Sequence, residues 1–300
     1  MLGAAAMPGR QTEPTNLFLT LDGVKCGPVR SADGGFARAD VVVTMPASGD
    51  FASKHLSTVR YEPFVVAVGF SNAAPVYDWV ADTWKNKVGR KSGSLVVTDY
   101  KLEAKREREF LDALLTETTL PTLDAASKEQ GFLTLKFSAD LVKEKAASGK
   151  QDAAAAKAKQ WFRSGFRLQI DGLDCTKVTK IESVSVKLGT KLEPVGSTKK
   201  EAEVLPTLLE FPNLKITLSE VSAKTWYDWL EDFVIKGNNG ESSERSGTIQ
   251  LLAADAKTEL ARIKLFGLGI YGIALPKAGE KVKGVTAELY CSRMELVVKP

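Results

Sequence analysis

Two pairs of carboxylates are spaced for chemistry. Asp78 and Asp82 lie four residues apart in Tyr77-Asp78-Trp79-Val80-Ala81-Asp82, and Asp228 and Asp232 do so in Tyr227-Asp228-Trp229-Leu230-Glu231-Asp232. On a helix this spacing brings both carboxylates to one face. A pair there does acid–base work only if burial or a neighbour splits the two pKa values. Val76, Trp79, Val80 and Trp226, Trp229, Leu230, Phe233 recur at i, i+3, i+4 and i+7, and form an apolar stripe on the opposite side. The carboxylates are therefore expected in solvent, not in a catalytic dyad.

Other candidates fare no better. Cys26 and Cys175 hold the same place in two similar stretches, but a nucleophilic thiol needs a positioned base, and His55 is the single histidine. Both read as buried structural thiols. Three cysteines in no paired spacing exclude a disulfide framework and a zinc site. Lys236-Gly237-Asn238-Asn239-Gly240 follows a helix, whereas a phosphate loop precedes one, so it reads as a turn. Gly267, Gly269 and Gly272 fall within an apolar strand and lack the strand–turn–helix setting of a dinucleotide motif. No catalytic, cofactor-binding or metal-ligating residue is assigned, and no cofactor is expected.

The chain that positions these residues is 300 long, enough for two domains, with 44% apolar residues and a net charge of +4. So mild a charge does not demand a nucleic-acid or membrane-surface partner. No run of about 18 apolar residues exists, so no membrane insertion by a helix is expected. Met1 to Pro8 lacks the charged start and apolar core of a secretion signal, and a cytoplasmic site of synthesis and assembly is expected.

The two acidic helices belong to a wider repeat. Leu19-Thr20-Leu21-Asp22-Gly23-Val24-Lys25-Cys26 matches Leu168-Gln169-Ile170-Asp171-Gly172-Leu173-Asp174-Cys175. Lys91-Ser92-Gly93-Ser94 matches Arg245-Ser246-Gly247-Thr248, and each opens an aliphatic run. Leu120-Pro121 matches Leu275-Pro276, and Phe137 matches Tyr290. The expected fold is mainly β: two tandem copies of a six-stranded antiparallel β-barrel or sandwich with one α-helix each. The expected domains are an N-terminal extension (1–15), a first unit (16–142), an Ala- and Lys-rich linker (143–162) and a second unit (163–300).

Within each unit, alternation marks a first strand at Leu17, Leu19, Leu21 and at Phe166, Leu168, Ile170, ending at Asp-Gly. A second strand is expected at Val41-Val42-Val43 and at Val184, Val186, Leu188. A third follows a proline at residues 64–68 and at Leu214, Ile216, Leu218. Residues 106–115 have helical propensity, but their counterpart from Leu260 to Leu265 alternates, so both are expected as strands. The last strand is Leu133, Leu135, Phe137 and Val285, Ala287, Leu289, Cys291. Polar stretches at residues 45–58 and 189–206, the second holding Lys199-Lys200-Glu201, are expected to project as arms. Residues 143–160, if helical, would span roughly 27 Å.

The ordered set resembles the contractile-phage tail tube protein family, whose members also form the inner tube of contractile injection systems and are related to the haemolysin-coregulated protein of type VI secretion. The set comprises aromatic-Asp-Trp on a helix, a Lys- and Gly-rich loop, Ser-Gly-hydroxyl opening an aliphatic strand, and a strand ending near a proline. The resemblance implies a non-enzymatic structural protein of a virion tail or injection particle. Its partners would be further copies of itself, sheath or baseplate proteins, and DNA or protein cargo in a lumen. Such proteins form six-membered rings that stack, so a tandem copy implies three chains per ring, with the arms touching the ring above or below. A tube-end adaptor or terminator ring, and a free two-barrel binding module, remain open at this point.

Overall fold

The computed structural model describes residues 16–45, 51–57, 59–70, 72–152, 160–194, 202–275 and 284–298. The N-terminal extension, the arm tips (46–50 and 195–201, with Lys199-Lys200-Glu201) and linker residues 153–159 lie outside the described residues. The fold is mainly β with two α-helices, and every strand pairing is antiparallel among the described residues.

Two sheets carry the chain, and their central paths run in the same order. In the first the path is Val24–Val29, Asn16–Leu21, Arg90–Thr98, Ala104–Leu120, Leu133–Ser138, Phe64–Val68, Ser31–Asp33. In the second it is Trp161–Ile170, Arg245–Ala253, Glu259–Ala274, Val285–Val298, Leu214–Leu218, Val178–Ile181, then Leu123–Asp124. From Asn16 and Trp161 onward, each path takes a half's first strand, the strand after its helix, the long strand, the closing strand, the strand before the helix and a short outer strand. Irregularities agree as well. The long strands bulge at Leu115/Glu117 and at Ile270/Gly272. Both take positive φ 155 residues apart, at Asp112 (51°) and Gly267 (61°).

The Ser-Gly motif has a steric cause. A Cβ on Gly93 would lie 2.0 Å from the Thr20 carbonyl oxygen, and one on Gly247 would lie 2.7 Å from that of Gln169. In both halves, glycine lets the strand after the helix crowd the first strand.

Helix α1 (Ala74–Trp84) has proline in its first turn and buries Val76, Tyr77, Trp79, Val80 and Trp84. Helix α2 (Lys224–Leu230) buries Trp226 and Trp229 and continues as a π-helical turn, Glu231–Ile235, that buries Phe233. Positive φ at Asn86 (58°) and Gly237 (74°) ends the two helical segments. The core of the first half centres on Phe64, Phe110 and Phe137, whose ring centroids are 4.9–5.5 Å apart. Ladders along both edges hold Ala104–Leu120 as a strand despite its helix-forming composition.

Several sequence expectations are corrected. Val41-Val42-Val43 is not a barrel strand: Val41–Thr44 pairs with Ser53–Leu56 in a fully exposed hairpin, so the first arm starts earlier than expected. The strand after the first turn is Val24–Val29, hidden in the sequence by Gly27 and Pro28, which break the alternation. The second arm is an extended ladder, Val184–Pro194 with Ala202–Glu210. Linker residues 143–146 are not helical but belong to Leu141–Ala146, a strand paired with the long strand from Arg106 to Leu111. Strand registers align Phe137 with Leu289, one residue from the sequence match, because Phe137 faces Leu115 and Leu289 faces Ile270.

Candidate assembly surface

The residues singled out for chemistry do not converge. Asp78, Asp82, Asp228 and Asp232 are all exposed. Asp228 pairs with Lys224 at 2.6 Å, and Asp232 accepts a hydrogen bond from the Asn238 side-chain amide at 2.8 Å. Cys26 and Cys291 are buried and Cys175 is half-buried, and burial pushes each thiol up to about 11. His55 lies in the exposed arm. No group of three or more metal-ligating side chains occurs among the described residues. A cavity of about 190 Å³ beside Phe36, Phe64 and Leu95 is mainly apolar, with Asp33, Arg106, Glu107, Arg108 and Glu144 also in its lining.

What the chain does build is a seam between its halves, made by exchanging strands. Val184 to Lys187 of the second half pairs with Leu120 to Glu117 of the first. In return Leu123–Asp124 pairs with Ile181 and Lys180 of the second sheet. Arg90 fastens the second arm. It donates to the Asp112 carbonyl and to Asp140 (2.9 Å each), reaches Glu203 at 3.3 Å, and also donates to the Val204 carbonyl. The backbone N–H of Val204 donates to Asp140 at 3.2 Å. Helix α1 packs on Val285–Val298. Its Trp84 meets Phe211 edge-on at 6.5 Å. Tyr77 stacks on Phe70, which meets Trp161 at 5.4 Å.

The first half is thus covered at positions where the second half is bare. Tyr77 is 5% exposed and its counterpart Tyr227 39%; Trp84 is 3% exposed and Val234 45%. Leu120, under the second arm, is 1% exposed, whereas Leu275 is 68% exposed. Val221 and Ile235 add to the apolar surface around α2. Large apolar side chains left open in this way are of the kind that line interaction surfaces. Sequence reading missed it, because two similar stretches say nothing of which one is covered.

No protein-family model and no curated protein matches the sequence. Solved structures are similar to part of it. A chain of the PVC extracellular contractile injection system, sheath–tube complex in the extended state, is 20% identical over 46% of this chain and 95% of its own (TM-score 0.40). A chain of the anti-feeding prophage tube-terminating cap is 19% identical over 49% and 95% (TM-score 0.37). A chain of the PVC sheath/tube terminator is 20% identical over 48% and 100% (TM-score 0.38).

Proposed function

We propose that the chain is a non-enzymatic structural subunit made of two copies of one β unit, residues 16–142 and 163–300, with residues 143–162 between them. It associates head to tail with further copies into a ring. Three chains would supply six quasi-equivalent units, forming the ring or stacked inner tube of a phage tail or contractile injection particle. Sheath or baseplate proteins would be its partners, and DNA or effector protein its cargo.

The observation that carries this reading is the unequal covering of equivalent surfaces. The first half is covered at Tyr77, Trp84 and Leu120, the last two against Phe211 and Val184 of the second half, and the second half offers the same positions uncovered at Tyr227, Val234 and Leu275. A surface that mates with a different surface propagates until rotation closes it. Closure would also remove the free sheet edges that invite aggregation. The same strand order in both sheets, with bulges and positive-φ residues at equivalent places, supports the two-copy reading.

Negative-stain microscopy of the purified chain over a range of concentrations, with its mass in solution, tests the reading. Closed rings of three chains, or stacks of them, are expected. Isolated rings that never stack would turn the reading to a terminal or adaptor ring. A monomer at every concentration would overturn it.

A further inference from the structure

We infer that the first arm docks on the second half of another copy of this chain, in the register that the second arm takes on the first half within the chain. The inference rests on the ring reading and adds the pairing that would hold the ring together. Residues 36–38 would lie along residues 272–274 of the neighbouring copy, with Ala37 opposite Ile273.

Two observations converge on this pairing. The first is a matching vacant edge. The long strand Ala104–Leu120 pairs with Arg90–Thr98 only as far as Leu114, and the edge beyond it carries the second arm at Glu117 to Leu120. Its counterpart Glu259–Ala274 pairs with Arg245–Ala253 only as far as Leu268. Among the described residues, no strand covers the same edge at 272–274. Buried Thr118 and Leu120 correspond there to half-exposed Ile273 and exposed Leu275.

The second is a matching free strand. The arms are related by the 149-residue spacing of Cys26 and Cys175, which sets Ala37 against Val186 and Arg38 against Lys187. Among the described residues Ala37–Arg38 pairs only with Arg60–Tyr61, in a two-stranded ladder, and both residues are exposed. In the second arm the corresponding residues are the ones that pair with the first half, and Val186 is buried. A strand with one open edge meets a strand with one open edge, each equivalent to a partner already joined elsewhere in the chain.

The test uses the full chain, with self-association followed by mass in solution against concentration. Ala37→Cys with Ile273→Cys should give a disulfide between chains under oxidation, since residues opposed across an antiparallel ladder lie within bonding range. Neither single variant should do so, and Thr118→Cys with Val186→Cys should close within the chain. Rings that form while the double variant gives no disulfide between chains would overturn this docking and leave the ring reading standing. A wild-type chain that stays monomeric while the Thr118–Val186 disulfide still closes would overturn both.

Discussion

Thr118 and Val186 face each other across the seam, one from each half, and both are buried. Their pairing makes the two halves one folding unit at this point, because neither strand could leave without exposing the other. Val186→Asp places a charge without a partner where only aliphatic surface fits. It should destabilise the chain by about 3 kcal/mol or more, read from urea unfolding.

Tyr77 and Tyr227 separate stability from association. Tyr77 donates its hydroxyl to the Gly69 carbonyl from a buried site, and burial pushes its phenol above the usual range. Tyr77→Phe leaves that carbonyl short of a partner and should cost about 1–2 kcal/mol. Tyr227 is exposed on α2. Tyr227→Asp should change unfolding by less than about 0.5 kcal/mol. The same substitution should reduce self-association measured by mass in solution. Loss of stability instead would make Tyr227 a folding residue and weaken the argument from its exposure.

The Ser-Gly motif should tolerate no side chain in either half. Alanine at Gly93 or at Gly247 meets a carbonyl oxygen of the first strand at 2.0 and 2.7 Å respectively. The strands must part to admit it, at about 1–3 kcal/mol for each substitution. Gly93→Ala should be the more damaging of the two, since its carbonyl contact is the tighter while the side-chain contacts, Phe110 at 2.8 Å and Ile170 at 2.9 Å, are alike. Thermal unfolding of the two variants ranks them.

The strands were legible where two similar stretches could be compared. Residues 106–115 alone favour a helix, and only the alternation from Leu260 to Leu265 identifies both as strands. The helices were legible because Trp79 and Trp229 sit in clear apolar stripes. The arms were misjudged at their edges. Val41-Val42-Val43 looks like a buried strand by composition, yet all three side chains are exposed in the hairpin. Apolar content predicts burial only when something lies on top, and the proposed neighbouring chain would supply that cover. Strand exchange at Leu123–Asp124 and at Val184 to Lys187 was illegible for a related reason. Periodicity reports which face of a strand is covered and carries no information on which strand covers an edge.

The three thiols give a pH prediction. Burial holds Cys26, Cys175 and Cys291 at about 11 against an ordinary 9.0. A raised value in the folded state means that folding favours the protonated thiol. The corresponding stability is complete below pH 9, and it is lost as pH rises towards 11, because the unfolded chain ionises first. Stability from urea unfolding should therefore be level near neutrality and fall across that alkaline window. A thiol reagent near neutral pH should label the folded chain slowly, beginning with half-buried Cys175, and label all three cysteines quickly in denaturant. Fast labelling of Cys26 in the folded chain would mean that the turn around Val24–Val29 opens readily, and the alkaline loss should then shrink with it.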